Sequence, residues 1–172
     1  MTKPEAIDEE ISLDPKKYII SSTDTKGLIT DVNDYFMEIS GYSREELIGK
    51  PHNIIRHPDM PKVVFKLMWE RLSNGQDIIA LVKNMAKDGR YYWIFTTFEP
   101  QKNANGEVIG YTAHRKLAPK HTIETIADIY RQVLEVEKKE GTEASEKFLN
   151  AYLKERGEEI TFANLMDEIY KF

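Results

Sequence analysis

Pro51, Pro58 and Pro61 fall within eleven residues of a 172-residue chain. Each lacks a backbone donor and restricts the residue before it, so no single helix can run through 51–61. Proline is well suited to the first position of a helix. From Pro61 onward Val64, Phe65, Met68, Trp69 and Leu72 recur at helical spacing and share one apolar face. The spacing predicts a stiff irregular loop feeding an amphipathic helix, closed by Asn74-Gly75.

Strand signals lie on both sides of this block. Residues 18–23 are apolar and β-branched, Asp24-Thr25-Lys26-Gly27 is turn chemistry, and Leu28 to Val32 resumes as a second strand. Asn33 and Asp34 can cap a short helix ended by Gly41, and Ser43 with Glu46 forms a capping box for another that stops at Gly49. After the central helix, Ile78 to Met85 leads through Lys87-Asp88-Gly89-Arg90 into Tyr91 to Phe98, and Asn103 to Gly106 leads into Val108 to Arg115. Segregated strands and helices define an α+β fold: a five-stranded antiparallel sheet with helices on one face and a cavity between helices and sheet.

Composition narrows the chemistry. With no cysteine, the chain has no disulfide, zinc ribbon, iron–sulfur cluster, thiol catalysis or cysteine–flavin adduct. The net charge of -5 argues against nucleic acid as a partner, which would call for a basic stripe. By segment the balance is -2 for 1–17, +1 for 18–118 and -4 for 119–172, which suggests an N-terminal extension, a central domain and a C-terminal extension. No apolar run approaches the ~18 residues of a membrane span. Met1 to Pro15 is acidic where a signal peptide would be basic, so a cytoplasmic location without membrane insertion is expected.

The C-terminal extension reads as three short amphipathic helices. Ile123, Ile126, Ala127, Tyr130, Val133 and Leu134 mark the first; Ala144, Phe148, Ala151 and Tyr152 the second; Phe162, Leu165, Met166, Ile169 and Tyr170 the third, with Thr161 as its cap. Their apolar faces must be buried on one another, on the sheet or on a partner, a second copy of the chain included.

The order of elements, with Asn33-Asp34-Tyr35-Phe36 and the run Ser40 to Gly49, resembles a PAS domain. The block Pro51-His52-Asn53-Ile54-Ile55-Arg56-His57-Pro58-Asp59-Met60-Pro61, with Met68-Trp69 and Val82-Lys83-Asn84, is similar to PAS domains of the Aer/CetB type. These are redox sensors of bacterial aerotaxis and energy taxis, and the likeness covers about 18–118. It implies noncovalent FAD and a membrane chemotaxis receptor or other signalling protein as partner. It also implies a flavin site made by Asn33, His52, Arg56, Asp59, Phe65, Trp69 and Asn84, with His57 beside them. The chain departs from the family pattern at Ile78-Ile79, where a tryptophan is expected.

The residue chemistry is compatible with this, and each residue also has a simpler reading. Phe65 and Trp69, four apart, can wall a planar ring or merely fill a core. Asn84 can read a ring edge from the inner side of its strand or face solvent. Arg56 can take a pyrophosphate or hold Asp59 in a bidentate pair. His52 and His57 can be surface or capping residues, or one can ligate haem iron in a gas sensor. A cofactor-free interaction module is the third reading. His57 and Asp59 lack an accompanying nucleophile, phosphate loop or metal motif, so no enzyme is expected.

Overall fold

The computed structural model describes residues 3–157 and 161–170. Strands β1 (Ile19–Thr23) and β2 (Ile29–Val32) form the first hairpin, whose turn is organised by Asp24. The Asp24 carboxylate accepts the backbone N–H groups of Lys26 and Leu28 at 2.9 and 3.0 Å. Gly27 in that turn has φ of 84°, and a Cβ there would meet the Trp69 ring at 3.3 Å. Glycine therefore serves both the turn and the approach of the indole.

Helix α1 (Asp34–Ser40) is capped by Asn33, whose side-chain oxygen accepts the Phe36 N–H at 3.0 Å. The capping box of Ser43 and Glu46 starts α2 (Arg44–Leu47). A 3-10 turn (His52–Ile55) follows, and α3 (Lys62–Ser73) begins directly after Pro61. Strands β3 (Ile78–Met85), β4 (Tyr91–Lys102) and β5 (Val108–Leu117) complete an antiparallel sheet in the order β2-β1-β5-β4-β3. The α+β fold and its five-stranded antiparallel sheet are thus as expected from sequence. Strand β4 runs four residues past Phe98, through Pro100. Beyond Phe98 it pairs only with β5, an edge-like position where a missing N–H is tolerated.

One sheet face, carrying Ile19, Ser21, Ile94, Thr96, Ala113 and Arg115, packs under the short helices and α3. The other is covered by α4 (Lys120–Glu140), α5 (Thr142–Lys154) and α6 (Phe162–Tyr170), so helices lie on both faces. Trp93 stacks on Tyr130 with centroids 6.2 Å apart, and Phe95 meets Tyr170 edge-on at 5.4 Å. The Tyr130 hydroxyl donates to the Leu81 carbonyl at 2.7 Å. Among the options for the C-terminal helices, burial within the chain is the one observed. The N-terminal segment also docks: Ile7 and Ile11 donate to the Gly89 and Tyr91 carbonyls at 3.0 and 2.8 Å.

The two sets of helices are joined through α3, by the Lys66–Glu146 ion pair with α5 and by a cap from α4. Pro61 offers no side-chain cap to α3, and the carboxylate of Glu137, on α4, takes that place. Its oxygens accept the Lys62 and Val63 N–H groups at 2.9 and 3.2 Å, and the Ser145 hydroxyl donates to it at 3.3 Å. A carboxylate at a helix N-terminus satisfies orphan donors and favours the dipole. Glu137→Ala is expected to destabilise the fold by about 1–2 kcal/mol, and Glu137→Gln by less, since an acceptor remains. Urea unfolding of the three proteins measures the difference.

Candidate functional site

Between the inner sheet face and α3 lies a cavity of about 220 Å³. Phe65, Met68, Trp69 and Leu72 of α3 form one wall; Ser21, Asn84, Phe98, Tyr111 and Ala113 form the sheet side. His52, Ile55 and Arg56 close one end, from the proline-bounded loop. No Asp or Glu lines it, whereas Lys26, Arg56 and His52 do. Such a lining, apolar walls with a few placed donors and cations, suits a planar ligand with electron-rich edges.

Five of the eight residues singled out from sequence, His52, Arg56, Phe65, Trp69 and Asn84, meet in this cavity. Trp69 is 39% exposed and rests edge-on against Tyr111 at 5.1 Å, a position at the mouth. The Arg56 guanidinium lies over the Phe65 ring at 3.9 Å, and its Nε is buried without a hydrogen-bond partner. Asn84 is buried on the inner side of β3, not solvent-facing, and its backbone bridges that of Arg56. That bridge ties the loop to the sheet edge.

Three residues lie elsewhere. Asn33 is occupied as the α1 cap; it also accepts the Ile20 N–H and donates to the Tyr18 carbonyl, which fastens α1 to β1. Asp59 does not pair with Arg56. Its carboxylate takes the Lys83 ammonium at 2.9 Å, because Lys83 projects from the opposite sheet face to Asn84. His57 is buried beside Tyr91, and its Nδ1 accepts the Asp59 N–H at 3.0 Å. His57 is thus buried, and His52 is half-buried at the end of the cavity.

Arg115 is the residue that sequence reasoning missed. It is 1% exposed, behind His52, and donates to His52 Nε2 at 2.6 Å and to the Ile19 carbonyl at 3.4 Å. The Phe36 ring lies 5.4 Å away, and the Tyr92 phenol is also beside it. No carboxylate faces it among the described residues, and burial lowers its pKa to about 10. The available signal was register: Tyr111, Ala113 and Arg115 alternate along β5, which puts a guanidinium on the inner face. Arginine can only donate, so Nε2 of His52 accepts and the ring proton sits on Nδ1. Burial, then the Arg115 charge, holds His52 well below the ordinary histidine range. Beside them, burial pushes the Tyr92 phenol up to about 12 against the opposing pull of the Arg115 charge and the Asn84 amide, and the Thr96 hydroxyl is buried without a hydrogen-bond partner among the described residues.

The geometry so far is that of an α+β domain with a cavity between its sheet and helices. A family model described as the PAS fold matches residues 29–114, half of the chain. The chain is 39% identical over 113 residues to the aerotaxis receptor of Escherichia coli K12, a match covering 66% of this chain and 22% of that protein. It is 31% identical over 87 residues to the biofilm dispersion protein BdlA of Pseudomonas aeruginosa, covering 50% and 21%. The light-state structure of the blue-light photoreceptor Aureochrome1 LOV superposes with a TM-score of 0.57 at 18% identity, covering 64% of this chain and 88% of that one. The chain belongs to the PAS-fold family, with a PAS domain of the aerotaxis-receptor type. It spans about a fifth of the length of these two curated relatives.

His52 and His57 both make stability depend on pH. Burial and the Lys83 ammonium, against the Asp59 carboxylate, lower His57 to about 4. In the unfolded chain each histidine takes its proton near pH ~6.5. Acid therefore favours the unfolded state: stability is complete above that value and declines as pH falls toward 4. The urea midpoint is expected to drop between pH 7 and pH 5, and His57→Gln should flatten the decline.

Proposed function

We propose that the cavity holds FAD noncovalently and that the chain is a redox or energy sensor of the taxis type. The supporting observation is a single cavity, free of carboxylates, in which the loop and helix residues of the aerotaxis-type motif converge. Behind it sits Arg115, a buried cation without a carboxylate partner among the described residues. Burying a charge without a counter-charge is costly. A ligand that presents electron-rich carbonyls, and gains negative charge on reduction, offsets part of that cost.

A bound flavin supplies one- and two-electron redox chemistry. Within the chain, Phe65 and Trp69 would wall the ring, and the Asn84 amide would meet its polar edge. The His52–Arg115 pair presents a proton on Nδ1 and a fixed positive charge. The cavity lies below the ~300 Å³ lower end of usual ligand pockets, so Trp69, exposed at the mouth, swings outward to admit the ring.

The signal then has a physical path. Asn84 is bridged to Arg56, and burial lowers the Arg56 pKa while the nearby Glu137 carboxylate raises it. Glu137 caps α3 and belongs to α4, so movement at Asn84 bears on the C-terminal helices. In this reading those helices carry the output to a membrane chemotaxis receptor, from the cytoplasmic side. No helix among the described residues is long and apolar enough to cross a membrane.

The small cavity also favours a second reading, a cofactor-free PAS interaction module. Haem ligation by His52 is disfavoured, since its Nε2 is engaged by Arg115. Freshly expressed protein is expected to show flavin absorption near ~450 nm. Trp69→Ala should weaken FAD binding roughly tenfold, the loss of one aromatic wall. Absence of that band even after FAD is supplied, with Trp69→Ala affecting stability alone, would establish the interaction module instead.

A further inference from the structure

A second cavity, about 610 Å³, opens on the far side of Arg56. Its size falls within the ~300–1,000 Å³ of ordinary ligand pockets, which the first cavity does not reach. It is roofed by the N-terminal segment, where the Lys3 ammonium donates to the Arg56 carbonyl at 3.1 Å, and floored by the junction of α4 and α5.

Its chemistry is divided. Met60, Met85 and Leu134 supply apolar surface, and Lys3, Arg56, Lys62 and Lys138 supply four cationic groups. The one carboxylate in the lining, Glu137, is engaged by the α3 N–H groups and Ser145. Burial and the Arg56 charge lower the Lys3 pKa, the response of a cation short of counter-charge. Arg56 lines both cavities, and its Nε is a buried donor without an acceptor. Cationic groups around apolar surface suit a nucleotide: phosphates for the guanidinium and ammonium groups, a purine for the methionines and leucine.

We propose that this second cavity seats the adenosine diphosphate half of the dinucleotide flavin, with Arg56 at the join receiving the pyrophosphate. The proposal rests on the flavin reading of the first cavity, and it makes the chain selective for FAD over flavins that lack the second nucleotide.

Titration of the apo chain with riboflavin, FMN and FAD, followed by quenching of flavin fluorescence, tests it. FAD is expected to bind at least ~30-fold more tightly than riboflavin, with FMN between them. The double variant Lys62→Glu/Lys138→Glu reverses two exposed charges that make no hydrogen bond to the core. It should weaken FAD roughly tenfold and leave riboflavin unchanged. Equal affinities for FAD and riboflavin, or equal losses for both in the variant, would overturn the assignment while leaving the flavin reading intact. If no flavin binds, calorimetry with ADP alone decides. ADP binding that the double variant abolishes supports the second cavity although the redox reading fails, and no ADP binding removes both.

Discussion

The cavity exists because α3 is fixed at its start from two directions. On the sheet side, the proline-bounded loop is stitched to β3 through the backbone bridge of Arg56 and Asn84. On the other side, Glu137 reaches from α4 to satisfy the first N–H groups of α3. Proline restricts the loop before folding, so less entropy is lost in ordering it. A helix held so firmly at one end can stand off the sheet beside Phe65 and Trp69. Trp69 meets Tyr111 edge-on at the mouth, and the space behind it stays open.

Electrostatics give the hollow its character. The domain places a guanidinium, an imidazole and a phenol, from Arg115, His52 and Tyr92, in one buried cluster. Low dielectric strengthens whatever meets these groups and makes an unmet one costly. The cluster has phenolic and imidazole neighbours but no carboxylate among the described residues, so its balance depends on what occupies the adjoining space. The same cation-rich surroundings continue past Arg56 toward Lys62 and Lys138. A polar domain interior of this kind is suited to sensing, because a change of ligand charge is felt by groups with few other partners.

Much of this was legible beforehand. Period-two and helical spacing, proline placement and the Ser43–Glu46 box were enough to locate every strand and α-helix of residues 18–118, though not the 3-10 turn at His52–Ile55. His52, Arg56, Phe65 and Trp69 meet at one cavity because a rigid loop and one helix face keep them together, and Asn84 joins them through the alternation of β3. Asn33 lies outside that cavity for a local reason: the same amide that suits a ligand also suits a helix cap, and the cap is nearer. Asp59 lies outside it with its carboxylate on Lys83, from a distant strand.

The amino-acid sequence alone determined the α+β class, the break at 51–61, the α3 face bearing Phe65 and Trp69, and the amphipathic nature of the tail. These are properties of local spacing and backbone restriction. Only the tertiary structure decided that the tail covers the outer sheet face, that Glu137 caps α3 and that Arg115 lies behind His52. The Glu137 and Arg115 contacts join residues 63 to 75 positions apart, and no periodicity signals them. They arise where chain packing brings an unsatisfied donor within reach of an acceptor and excludes water from both.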